Sequence, residues 1–112
     1  MICFPNAKIN LGLRVVSKRP DGYHNIASVL HPVPFYDVLE FLPAEKYALQ
    51  SFGQNIEEDA GKNLVTRAWL VLHREFAIPP VAVNLFKRIP VGSGLGGGSA
   101  DAAFMLKALN AY

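Results

Sequence analysis

Residues 90–103 read Pro-Val-Gly-Ser-Gly-Leu-Gly-Gly-Gly-Ser-Ala-Asp-Ala-Ala, and no other stretch restricts the fold so strongly. Five glycines fall in the seven positions from Gly92 to Gly98, after which the composition turns helix-forming. Glycine reaches backbone angles closed to other residues and lets a ligand approach the main chain. A helix opening at the end of such a loop offers unpaired N–H groups and a partial positive charge. Together they make a cradle for phosphate. A linker can be as glycine-rich, but it rarely runs straight into a helix with Ser99 placed to cap it. The pattern predicts a helix over 101–110, capped by Ser99, with Asp101 in its first turn offsetting the helix dipole.

The loop is not a Walker A loop, which would need Gly-Lys-Ser/Thr at the helix start; no lysine lies between Arg88 and Lys107. Gly92, Gly94 and Gly97 satisfy the spacing GxGxxG. Pro90 nevertheless separates them from the preceding strand, and no second strand with an acidic residue follows, so a dinucleotide fold is disfavoured.

The rest of the chain reads as one globular unit. Its 112 residues suffice for one core and not two, and 51% hydrophobic with 18% charged residues excludes a disordered chain. A net charge of +2 with scattered basic residues argues against nucleic acid. Cys3 has no partner for a disulfide or a cysteine metal site, and a lone thiol is compatible with a cytoplasmic protein. No apolar run approaches a membrane span and no signal pattern opens the chain. Nothing in the sequence sets an oligomeric state.

Residues 7–16 alternate, with Ile9, Leu11, Leu13 and Val15 on one face of a half-buried strand and Lys8, Asn10, Gly12 and Arg14 on the other. Lys8 and Asn10 thus project the same way, one pleat apart. Residues 18–22 read as a turn. Residues 26–33 and 37–42 read as strands separated by Pro32 and Pro34, and 47–52 as a weaker strand. The acidic, polar stretch 54–62 reads as a loop. Asn63 caps a helix over 64–76 with an apolar stripe of Leu64, Val65, Ala68, Trp69 and Leu72, ended by Ile78-Pro79-Pro80. Residues 81–86 form a strand leading into the glycine loop. The class is α+β.

Pro90 to Ser99 resembles the phosphate loop of the GHMP small-molecule kinases. The longer form, with Asp101-Ala-Ala103, is similar to the branch acting on a cytidylyl methylerythritol. Ala7-Lys8-Ile9-Asn10-Leu11 and Arg19-Pro20-Asp21-Gly22-Tyr23-His24, with Ser28, resemble the same branch, and Asn63-Leu64-Val65 and Lys87-Arg88 fit too. The motifs come in order and span nearly the whole chain. The resemblance implies a ribosomal protein S5 domain 2-like fold, incomplete here, with residues 1–112 forming the N-terminal ATP- and substrate-binding part. It also implies ATP and Mg²⁺ as cofactors and transfer of the γ-phosphoryl to the 2-hydroxyl of the cytidylyl substrate, in the supply of isoprenoid precursors. The alternatives are another GHMP kinase, acting on mevalonate, homoserine or a sugar, and a non-catalytic phosphate-binding module.

On residues alone Lys8 reads as a solvated lysine guarding an edge strand. The resemblance instead puts it beside the acceptor hydroxyl, where it steadies a developing alkoxide. Asn10 would bind a substrate hydroxyl. Tyr23 and His24 would hold cytidine by stacking and edge recognition, where residues alone suggest a turn followed by an aromatic pair packed on the core. The ATP-binding set implied is Asn63, Leu64, Lys87, Pro90, Gly92, Gly94, Leu95, Gly96, Gly97, Gly98 and Ser99. Asn63 serves equally as a helix cap, and Lys87 and Arg88 equally as the flank of an exposed strand end. Ala100 stands where the family usually has a second serine, so no serine pair faces phosphate or Mg²⁺. The family's catalytic aspartate is expected beyond Tyr112, since Asp21, Asp37, Asp59 and Asp101 do not match its motif. His31 and His73 have no partner at metal-ligand spacing.

Overall fold

A computed structural model describes residues 1–53 and 63–112. The loop expected over 54–62 lies outside the described residues. In chain order the elements are β1 (Ile2–Cys3), β2 (Asn6–Lys18), β3 (His24–Tyr36), β4 (Val38–Pro43), β5 (Ala48–Gly53), α1 (Leu64–Phe76), β6 (Val81–Lys87) and α2 (Gly97–Ala111).

Four strands form a mixed sheet in the order β1-β4-β6-β5. β4 runs antiparallel to both β1 and β6, while β5 lies parallel to β6. Parallel neighbours need a crossover, and α1 lies on the connection between them. β6 alternates with its inward residues Val81, Val83 and Leu85 buried. They pack with Leu39 and Phe41 of β4, Val65, Ala68 and Trp69 of α1, and Met105, Ala108 and Leu109 of α2. Burying each such leucine or phenylalanine contributes about 2 kcal/mol. α1 starts and stops as the sequence predicts. The Asn63 side chain accepts from the Val65 N–H at 2.9 Å, and Ala77 closes the helix in the left-handed region at φ 51°. His73 stacks on Trp69, which stacks on Tyr47, in keeping with a structural role.

β2 and β3 form a separate two-stranded antiparallel ribbon. Here the alternation misleads. Leu11 pairs with Val29 and Leu13 with Ser28, so the register slips by one residue at Gly12, whose φ is 75°. Paired residues share a face and neighbours do not, so Leu11 and Leu13 point to opposite faces. Ile9 and Leu11 lie on one face, Leu13 and Val15 on the other with Lys8 and Asn10. Nor is the strand half-buried by its apolar side: Leu11, Leu13 and Val15 are all more than half exposed. β3 also runs through Pro32 and Pro34 to Tyr36, where the sequence suggested a break. A ribbon has an open outer edge, where a missing N–H loses no ladder bond. The break comes instead at Asp37.

Candidate phosphate-loop site

The glycine loop joins β6 to α2, and the helix begins earlier than its composition suggests. α2 starts at Gly97, inside the glycines, and Gly96 is its N-cap at φ 72°. Ser99 is therefore the third helical residue and not the cap. Asp101 lies beyond the first turn and does not serve as a dipole-compensating charge there. The first helical bond runs from the Ala100 N–H to the Gly96 carbonyl at 3.0 Å. The N–H groups of Gly97, Gly98 and Ser99 precede it and are the donors a helix start offers an anion. Gly92 and Gly94 also have positive φ, at 72° and 80°. A side chain at either would meet open space, so backbone conformation demands glycine there. At Gly97 it is space: a Cβ would stand 2.7 Å from Ile89 Cγ2.

The loop separates two clefts. One, of about 290 Å³, is lined by Asn63, Leu64, Lys87 and the loop residues Gly92, Gly94, Gly96, Gly97, Gly98 and Ser99. The other, of about 520 Å³, is lined by Lys8, Asn6 and Leu30 of the ribbon and by Gly94, Gly96 and Ser99. Ser99 and two glycines thus face both. Lys8 ties the ribbon to the loop: its Nζ donates to the Gly94 carbonyl at 2.8 Å and its backbone N–H to the Leu95 carbonyl at 2.9 Å. Asn10 Oδ1 accepts from the same Nζ at 3.5 Å. Lys8 and Asn10 do project together, as expected. Asn6, which the sequence analysis did not single out, lines the Lys8 cleft.

Several expected site residues lie outside the lining of the two clefts. Pro90 and Leu95 do not line the first cleft; their carbonyls accept bonds from Ser93 Oγ and the Lys8 N–H. Tyr23 and His24 lie at the far end of the ribbon, since His24 pairs with Lys18, ten residues from Lys8 along β2. At about 3.3 Å per residue an unbent ribbon would put them at most about 30 Å from the loop, and the irregularities at Gly12 and between Val15 and Ser17 bend it. Tyr23 is 73% exposed, so it does not pack on the core. Asp21 accepts from the Tyr23 N–H at 3.0 Å and pairs with Arg19.

Lys87 is not the flank of an exposed strand end. It is 3% exposed, and its Nζ donates to Asp37 Oδ2 at 2.5 Å and Asp101 Oδ2 at 2.8 Å. Asp37 Oδ1 accepts from the Arg88 and Ile89 N–H groups at 2.7 and 2.8 Å, fixing the chain as it enters the loop. Burial by itself would raise the Asp37 carboxyl, but the neighbouring Asp101 carboxyl together with hydrogen bonds from Ile89, Lys87 and Arg88 outweighs it and holds it below the ordinary carboxylate range. Burial pushes Asp101 up to about 7, the neighbouring Asp37 carboxylate adds to the shift and Lys87 opposes it. Lys87 is raised: burial lowers it, but the two carboxylates prevail. The sequence carried no local signal for this cluster, since Asp37 opens the strand expected over 37–42. Its partners are 50 and 64 positions away in sequence.

The model of the GHMP kinases N terminal domain matches residues 63–112, the helix, strand, loop and helix that build the first cleft. The 4-diphosphocytidyl-2-C-methyl-D-erythritol kinase of Parabacteroides distasonis is 54% identical over the whole of this chain and 41% of its own length. That of Chlorobium luteolum is 42% identical over 95% of the chain and 37% of its own length. The chain is similar to these kinases along its whole length, and its residues 63–112 match the N-terminal domain of the GHMP kinases. It spans about two-fifths of the length of these relatives. A crystal structure of 4-(cytidine 5'-diphospho)-2C-methyl-D-erythritol kinase superposes with a TM-score of 0.77 at 40% identity, over 99% of this chain and 40% of that one. Streptococcus pneumoniae phosphomevalonate kinase in complex with phosphomevalonate and AMPPNP shares the fold at a TM-score of 0.67 and 14% identity, over 99% of this chain and 36% of that one. The α+β architecture expected from the sequence is present, and its helix, strand, loop and helix over 63–112 match the GHMP kinases N terminal domain. Among the described residues no helix is long and apolar enough to cross a membrane.

Proposed function

We propose that the protein carrying this chain is an ATP-dependent kinase that transfers the γ-phosphoryl of ATP to the 2-hydroxyl of 4-diphosphocytidyl-2-C-methyl-D-erythritol, in isoprenoid precursor synthesis. One observation carries the reading. The glycine loop stands between a cleft bearing Asn63, Leu64 and Lys87 and a cleft bearing Lys8, with Ser99 common to both. A nucleotide in the first cleft would lay its β- and γ-phosphates on the Gly97, Gly98 and Ser99 N–H groups and direct the γ-phosphoryl toward Lys8. Phosphoryl transfer needs mainly positioning and charge stabilisation, which is what these groups supply. Lys8 Nζ would balance charge developing on the acceptor oxygen, with Asn10 beside it. The similar kinases are named for this cytidylyl substrate, and the Asp21-Gly22-Tyr23-His24 turn would take its cytidine end.

Among the described residues no group of three His, Cys, Asp or Glu side chains could hold a metal ion. The described side chains therefore do not form a metal cage, and Mg²⁺ would arrive on the phosphates of ATP, as it commonly does. No described carboxylate lines the Lys8 cleft: Asp37 and Asp101 are buried on Lys87, and Asp21 is at the ribbon tip. The family resemblance would place the catalytic aspartate outside residues 1–112, which by themselves are expected to be inactive. An assay of ADP release tests both statements. The full-length protein should turn over the cytidylyl substrate and not mevalonate, homoserine or a sugar. Turnover by residues 1–112 alone would refute the placement of the base, and preference for another acceptor would refute the substrate.

A further inference from the structure

Beneath the phosphate loop two carboxylates share one ammonium. Lys87 Nζ is held by Asp37 and Asp101, all three side chains are at most 3% exposed, and Asp101 Oδ1 has no hydrogen-bond partner among the described residues. Counted as ions, the cluster carries one negative charge in excess. It lies close under the anion cradle: Lys87 and Asp101 both line the first cleft, and Lys87 Nζ is 3.1 Å from where a Cβ on Gly97 would be. Such a charge opposes a bound anion unless a proton removes it.

We propose that Asp101 is a positioning residue that works as a neutral carboxylic acid, and that binding of nucleotide phosphates in the loop draws a proton onto it. The inference rests on the nucleotide reading of the first cleft. Asp37 is the wrong partner to protonate, because two backbone N–H groups and Lys87 already stabilise its charge. Among the described residues Asp101 receives one bond, from Lys87, and retains an oxygen without a partner. Among the described residues a further titratable group near it is Cys3 of β1, a neutral thiol that burial raises first and the Asp101 charge raises further. Lys8 of β2 approaches the loop on the far side of Gly96 and donates to Gly94. Burial already brings Asp101 close to neutrality, so phosphate charge nearby needs to shift it only modestly. In the protonated state the cluster becomes neutral and continues to hold α2 against the end of β6, so the loop keeps its shape while the repulsion is gone.

Linkage gives the consequence. A site that binds its ligand with a proton loses affinity as pH rises between the free and bound titration points of that group, by up to about tenfold per pH unit. The experiment is calorimetry of ATP binding to the full chain at pH 8 in two buffers of different ionisation enthalpy, for the native sequence and Asp101→Asn. The native chain should take up more protons per ATP than the variant, by as much as one, and the variant should bind with a flatter pH profile. Equal proton counts overturn the inference, because the ATP phosphates titrate alike in both. A second measurement follows the Asp101 carboxyl carbon by NMR without ligand. If it titrates in the ordinary carboxylate range, the inference fails whether or not ATP binds. If it titrates near neutrality and ATP does not bind saturably at any pH, the nucleotide reading fails and takes the phosphate coupling with it.

Discussion

Gly97 and Gly98 are neighbours in the first turn of α2, yet a methyl group should act oppositely at the two. A Cβ on Gly97 would stand 2.7 Å from Ile89 Cγ2, 2.9 Å from Ile89 Cβ and 3.1 Å from Lys87 Nζ. Ile89 is fully buried and branched at the contacting carbon, and Lys87 is locked between two carboxylates. Neither can swing away, so the helix start must move. Overpacking of this kind costs about 1–3 kcal/mol, against which alanine returns at most about 1 kcal/mol of helix propensity. A Cβ on Gly98 meets only Leu64 Cδ1 at 3.4 Å, an ordinary contact with a flexible side-chain end. Gly98→Ala should therefore be neutral or stabilising by up to about 1 kcal/mol. In a chain of this size 1 kcal/mol corresponds to about 5 °C in the melting midpoint. Circular-dichroism melts should place Gly97→Ala below Gly98→Ala by about 5–15 °C, and nucleotide affinity should fall with Gly97→Ala because the donors it displaces are the cradle. If Gly97→Ala melts as high as Gly98→Ala, the close packing of the loop on Ile89 and Lys87 is not real.

Three further outcomes follow. Asp101 is raised from 3.8 to about 7, so the folded chain keeps a proton that the unfolded chain releases; its contribution is greatest below about pH 4 and is lost as pH rises toward 7, by at most about 4 kcal/mol. Asp37, lowered, acts in the opposite sense and only below 3.8, so urea melts from pH 5 to 8 isolate Asp101; Asp101→Asn should flatten the decline, and parallel curves would contradict it. In the full-length protein Lys8→Ala should lower kcat about 10²–10³-fold with a smaller change in KM for ATP, and unchanged steady-state turnover would return Lys8 to a merely structural strap on Gly94. Tyr23→Ala and His24→Ala should weaken the cytidylyl substrate about tenfold to hundredfold and spare ATP; a matching drop in melting temperature would instead mark them as packing, which their exposure argues against.

What could be read from the sequence was local. The Asn63 cap, the helix to Phe76, the β6 alternation and the glycine loop each depend on neighbours within a few residues, because capping, periodicity and backbone freedom are short-range properties. Lys8 and Asn10 were found together for the same reason, being one pleat apart. The features that tertiary structure decided all involve partners far apart in the chain. Composition suggested Ser99 as the cap, but α2 begins three residues after Gly94 because Gly97 packs on Ile89 and Lys87. Clean alternation from Ile9 to Val15 implied one apolar face, until cross-strand pairing placed a bulge at Gly12 and divided it. Asp37, Lys87 and Asp101 looked like three unrelated charges. Burial in one place makes them a single unit, since an ion removed from water must find its counter-charge wherever the fold brings one.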